Sequence, residues 1–252
     1  MAGALVLIAI AVSRAFRLGL ELDYVWASAR TVAQLLLVGH VLLWIFDRRE
    51  LIWVLLAFGV MLGAASVTAA RRGKRKLPGL LTSSAFAMTV GCGITVVVVT
   101  VFVVRADPWW TPRYFLPLAG MIVGNSMNAA ALTAERLVSE AAGRQLEIEE
   151  LLALGATPRQ ASAGVVRVSI RAGMIPMINS MLTVGLVSIP GMMTGQMIAG
   201  ADPSGAARYQ IVVMFMLAAS TTMCAVILGG LLYRRLYNSR WQLRRDLLRE
   251  VD

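Results

Sequence analysis

The sequence predicts an all-α polytopic membrane protein of about seven transmembrane helices, one of them broken near Pro190, with a further short helix on the cytosolic side. Three observations carry this. Of 252 residues, 58% are hydrophobic and the mean hydropathy is +0.71, a balance that belongs to the bilayer rather than to a water-soluble domain. Apolar stretches at 31–46, 51–70, 80–104, 115–134, 172–199 and 209–233 each approach or exceed the roughly 20 residues that cross a hydrocarbon core as helix. The basic residues are also sorted by side. With a first span at 1–13, the segments 14–30, 71–76 and 135–171 and the tail 234–252 hold 19 Lys and Arg. The opposite side holds 5: Arg48, Arg49, Arg105, Arg113 and Arg208. The bias orients the chain with its N-terminus out and its C-terminus cytosolic, in a cell (inner or plasma) membrane. Topology therefore accounts for the net charge of +10, and nucleic acid is not an expected partner. The run RRGKRK at 71–76 reads as topogenic, with membrane lipid as the other taker of its charge.

Taken in order, residues 1–13 fall short of the ~17 needed for a span and lack the basic start of a cleaved signal peptide. They read as most of a first span, with a start codon further upstream left open as an alternative. Polar breaks follow at 47–50 (DRRE), 106–114 (ADPWWTPRY) and 201–209 (ADPSGAARY); Pro, Asp and aromatics suit turns at a membrane boundary. Cys92 and Cys224 fall inside apolar spans and read as small packing residues rather than redox groups. One connection, 135–171, is long. The tail SRWQLRRDLLREVD, 239–252, reads as a short basic amphipathic helix lying on the inner leaflet or capping a partner. With no internal repeat, a single membrane domain is the simplest division.

Two spans carry polar or breaking residues. In AGMIVGNSMNAAALTA, 119–134, Gly120 and Gly124 permit close helix approach, while Asn125 and Asn128 share a face with Met121. Two amides in lipid need partners, on a neighbouring helix or in a wet pathway. In MIPMINSMLTVGLVSIPGMMTGQMIA, 174–199, Pro176 falls near the inner boundary, whereas Pro190 and Gly191 fall inside the span and break it. Broken backbone at that depth is tolerated only against protein or a water-filled cavity, so Pro190, Gly191, Thr194 and Gln196 are candidates for a gate or substrate site. Met181, Met192, Met193 and Met197 cluster there; they read as adaptable packing, with ligation of a soft metal as the alternative, and no metal-ligand set is assigned.

The six longer stretches contain no Asp, Glu, Lys or Arg, and His40 is their lone titratable candidate for ion coupling. No phosphate-binding GxxxxGK[ST] loop occurs, nor any acid, base, nucleophile or metal cluster that would mark an enzyme. Such a membrane domain needs an external engine, and EIEELLALGATPRQAS, 147–162, is a means of gripping it. Ile148, Leu151, Leu152 and Leu154 give an apolar face, and Glu147, Glu149 and Glu150 sit toward the N-terminus where the helix dipole favours carboxylates. Gly155 ends the turn and Pro158 prevents its continuation.

EELLALG at 149–155, with Ala156, Thr157 and Pro158, resembles the coupling-helix loop of ABC transporter permeases. Together with RTVAQLLLVG at 30–39, GMIVGNSMNAA at 120–130 and PGMMTGQ at 190–196, it is similar to the FetB family of permeases, of iron-export and plant aluminium-tolerance type. The resemblance implies a half-transporter permease working as a homodimer with a separate FetA-like ATP-binding subunit. ATP would sit on that subunit and no cofactor on this chain. It implies a metal ion such as iron, moved outward, and coupling through Glu149, Leu151, Leu154, Gly155, Ala156, Thr157 and Pro158. The expected pathway is lined by Asn125, Asn128, Asn179, Pro190, Gly191, Met192, Met193, Thr194 and Gln196. Importers of this superfamily carry Ala-Ala after the Glu where this chain has Glu150 and Leu151, which lends import no support. A non-metal substrate such as a sugar conjugate, a chelated metal, or a non-transporting scaffold are the other readings.

Overall fold

The computed structural model describes residues 2–48, 50–72 and 77–247. Its residues divide into two units by their contacts, 1–53 and 54–252.

The first unit is a helical hairpin of α1 (Ala2–Ala15) and α2 (Glu21–Arg48), followed by the first residues of α3. Positive φ at Arg17 and Gly19 turns the chain between them. The buried Ser13 hydroxyl accepts from the Leu20 N–H and donates to the Glu21 carboxylate, at 3.2 Å each, so it caps the entry to α2. Where 14–30 reads from the sequence as a connection, residues 21–30 are the opening turns of α2: Glu21 and Asp23 favour a helix start. At the far end the indoles of Trp44 and Trp53 meet edge to face at 4.5 Å, with the Arg48 guanidinium 4.7 Å over Trp44. His40 is exposed and its Nδ1 lies 2.8 Å from the Leu36 carbonyl of its own helix.

The second unit is built on α3 (Leu51–Arg72), α4 (Leu80–Val98), α5 (Pro112–Gly143), α8 (Ala163–Thr183) and α10 (Pro203–Leu232). α10 packs against α4, α5 and α8, and α5 against α8 and α4. Small residues allow this. A Cβ on Gly173 of α8 would stand 2.7 Å from the Ala129 carbonyl oxygen and collide with the Thr133 hydroxyl of α5. At Gly91 of α4 it would come 3.2 Å from the backbone N of Cys224 on α10. α3 joins through side chains: Phe58 meets Phe115 edge to face at 5.6 Å, and the Ser66 hydroxyl lies 3.7 Å from the Met88 sulfur. α4 ends in a widened π turn, Val99–Val104, in which the Thr100 hydroxyl bonds back to the carbonyls of Val96 and Val97.

Among the described residues, five helices are long and apolar enough to cross a membrane: Glu21–Arg48, Leu51–Arg72, Leu80–Val104, Pro112–Gly143 and Pro203–Leu236. They contain five of the seven expected spans, and α1 contains most of the first. The stretch 172–199 is divided among the end of α8, an irregular segment 184–190, and the short α9 (Gly191–Ile198). Pro176 lies inside α8, which continues through it to Thr183. The break also opens six residues before Pro190. Gly185 has φ +83°, its N–H bonds the Ser188 carbonyl at 2.9 Å, and Pro190 holds extended backbone as the N-cap of α9.

Candidate functional site

The segment 145–162 is two helices, and each end of the turn between them has a local cause. α6 (Gln145–Ala153) closes with Gly155 at φ +89°, the Gly155 N–H bonded to the Leu152 carbonyl at 3.0 Å and the Ala156 N–H to that of Leu151 at 2.9 Å. This is the paired bonding of a Schellman end, for which glycine at the left-handed position is the cheapest residue. Two residues later α7 (Pro158–Ala161) begins at a full capping box. Thr157 accepts from the Gln160 N–H, and the Gln160 side-chain oxygen accepts from the Thr157 N–H at 2.9 Å. Pro158 therefore starts a helix as well as forbidding continuation of the last one, because its missing N–H is an orphan at the first helical position anyway.

The result is a knob. Its base is buried through Ile148, 1% exposed, while Leu154 at the tip is 84% exposed. Leu151, Ala156 and Pro158 are half-buried, Glu149 is partly covered, and Gly155 and Thr157 face outward. The long connection 135–171 is thus largely helical: α5 extends to Gly143, and α8 begins at Ala163.

The tail departs from the expected amphipathic helix. After α10 and a 3-10 turn, Tyr233–Leu236, residues 237–243 fold into a tight hairpin closed by the pairing of Tyr237 with Leu243. The Asn238 side-chain oxygen accepts from the N–H groups of Arg240 and Gln242, at 2.9 Å each, which offers the backbone an alternative to helix. Helical geometry resumes only as one 3-10 turn, Arg245–Leu247, and 248–252 lie outside the described residues. The hairpin is fastened to the knob twice. Tyr237 shares a buried hydrogen bond with Ser162, and burial raises its phenol above the ordinary range, keeping it neutral. Arg245 grips Glu149 with two bonds, Nε to Oε1 at 2.8 Å and Nη2 to Oε2 at 2.6 Å, and that guanidinium holds the Glu149 carboxyl below its usual range.

The expected pathway residues are placed in two groups. On α5, Asn125 is half-buried and its amide donates to the Met121 carbonyl of its own helix at 2.9 Å. Asn128 is exposed and its oxygen accepts from Arg72 Nη1 at 2.6 Å, at the C-terminal end of α3. Near the break, Met192, Met193, Thr194 and Gln196 are half-buried, Thr194 donates to the Pro190 carbonyl at 3.1 Å, and Gly191 and Asn179 are exposed. No hydrogen bond among the described residues joins the α5 amides to the α9 group. Reading the sequence missed Arg72, Ser162, Tyr237 and Arg245. Only α7 had a local signal, Thr-Pro-x-Gln at 157–160.

Long apolar helices packed through small residues, carrying polar short helices beyond their ends, define a multi-pass integral membrane protein. The chain belongs to the UPF0014 family, described as an "Uncharacterised protein family", which matches residues 1–237. It is 42% identical over 239 residues to "Probable iron export permease protein FetB" of Escherichia coli K12, covering 95% of this chain and 91% of that one. It is 38% identical over 242 residues to "UPF0014 membrane protein STAR2" of rice, covering 96% and 84%. To "Protein ALUMINUM SENSITIVE 3" of Arabidopsis thaliana it is 34% identical over 239 residues, covering 95% and 86%. No solved structure matches the chain.

Proposed function

We propose that this chain is the permease subunit of an ATP-driven transporter, powered through the knob by a separate ATP-binding subunit and acting as a homodimer. The observation that carries the reading is the construction of 151–160. Two independent capping devices hold an apolar tip, Leu154, out in solvent, which costs exposure and makes sense where a partner covers it. The absence of charge within the long apolar stretches supports an external source of energy. On this reading the knob and tail are cytosolic, the N-terminus is outside, and the spans number seven, with α1 and the broken 172–199 segment added to the five long helices.

The name of the Escherichia coli relative supports a metal ion, iron, moved outward. A second reading, a neutral or chelated substrate, is favoured by the amide, hydroxyl and thioether character of Asn125, Asn179, Thr194, Gln196, Met192 and Met193. Among the described residues no three His, Cys, Asp or Glu gather in one place, and hard iron prefers such oxygen and nitrogen ligands. The test is reconstitution in liposomes with and without the co-purifying ATP-binding subunit, following iron and its citrate chelate. ATP-dependent movement only with both subunits is expected; movement by this chain alone would overturn the proposal. Bare iron and its chelate as competing cargoes separate the two substrate readings.

A further inference from the structure

We propose that the surface offered to the ATP-binding partner is composite: the knob supplies one half and the C-terminal hairpin the other, with an acidic and apolar segment of that partner seated between them. The inference rests on the permease reading above. A cavity of about 780 Å³ lies between the two elements, with Leu152, Gly155 and Ala156 on the knob side and Arg240, Trp241 and Arg245 on the hairpin side. It is large enough for several side chains, and its lining residues Gly155 and Ala156 directly follow the exposed Leu154 in the chain, so a protein that covers the tip also meets the hairpin.

Three features point to a protein occupant. Trp241 is held at φ +62° and is 61% exposed, an arrangement fixed by the Asn238 bonds to its neighbours. An exposed, backbone-fixed indole is a natural interface anchor. The charge of the lining is unbalanced: Glu149 is taken by Arg245, and Arg240 makes no ion pair among the described residues, so the complementary segment carries a carboxylate. The Glu149–Arg245 pair, joining residues 96 apart, sets the distance between the two walls and is a positioning device. Both residues line the cavity, whereas the buried base of α6 is held by Ile148.

A photo-crosslinking residue placed at 154, at 241 and at the distant exposed position 186, in full-length chain in membranes with its ATP-binding subunit, reads the surface directly. Adducts to the same ATP-binding polypeptide are expected from 154 and 241 and not from 186. An adduct from 154 alone overturns the composite surface and leaves the permease reading standing; adducts from neither overturn both. Lipid adducts at 241 would make the hairpin a membrane-facing element and sink the proposal. Independently, Arg240→Glu is expected to weaken retention of the partner about tenfold. Glu149→Arg and Arg245→Glu should each lower transport per ATP, and the double reversal should restore it. Failure of the double variant to recover, with normal melting, would rule out the positioning role.

Discussion

Substitution at Gly155 isolates the knob from everything else in the molecule. A Cβ built there meets nothing within 4 Å, so a larger side chain causes no collision, and the whole effect comes from the backbone at φ +89°. A non-glycine L-residue in left-handed geometry costs about 1–2 kcal/mol, and more when β-branched. That corresponds to roughly a 5- to 30-fold fall in the population of the closed turn. Gly155→Val should sit at or beyond the upper end, Gly155→Ala near the lower, and Gly155→Asn below both, because Asn tolerates positive φ. The turn is exposed and does not contribute to the helix bundle, so melting in detergent should barely move while the transport-to-hydrolysis ratio in proteoliposomes falls in the order Asn, Ala, Val. Equal transport by all four proteins would refute the claim that this turn transmits force. A ratio that tracks side-chain volume instead of backbone tolerance would refute the energetic argument even if transport were lost.

Four other outcomes are expected. Gly173→Ala, whose Cβ would stand 2.7 Å from the Ala129 carbonyl and on the Thr133 hydroxyl, should destabilise the α5–α8 contact by about 1–3 kcal/mol; thermal unfolding measures it, and Thr133→Ala in the same chain should recover part. Ser162→Ala and Tyr237→Phe each remove one side of a buried hydrogen bond and should cost about 1–2 kcal/mol, with a double variant costing less than the sum in a denaturation cycle. The Glu149 carboxyl is depressed by Arg245, so its tie to the tail is complete above the ordinary Glu range and is lost as pH falls through the lowered value. Hydrogen exchange at the Arg244 N–H, bonded to the Leu236 carbonyl at 2.8 Å, should therefore lose protection on acidification beyond the intrinsic pH trend, and Glu149→Gln should abolish that extra loss. With Arg72 intact, an Asn128→Cys variant should react readily with thiol reagents, because the neighbouring guanidinium favours the thiolate, and Arg72→Ala in the same chain should lower that reactivity.

The long helices are legible in the sequence because length and apolarity are local quantities, set by the bilayer rather than by which helix meets which. The same locality explains the boundary errors. Residues 21–30 contain Glu21, Asp23 and Arg30, charges that lower hydropathy without opposing helix, so the apolar window begins ten residues after the helix does. Pro190 marks a break but not its extent, since Gly185 and the strand-like Val184 and Ser188 act before it. In the knob, Gly155 is readable as an end, while Pro158 is readable as a start only when Thr157 and Gln160 are taken with it. The tail shows the harder limit. LRRDLL has helical spacing, yet Asn238 intercepts the N–H groups of Arg240 and Gln242, and the Ser162–Tyr237 and Glu149–Arg245 contacts join residues 75 and 96 apart. Periodicity contains no information on pairs so far separated. The candidate surface therefore divides along the same line as its physics: the tip at Leu154 and Gly155 is written in seven consecutive residues, and the half contributed by Arg240, Trp241 and Arg245 exists only once the chain has folded back on itself.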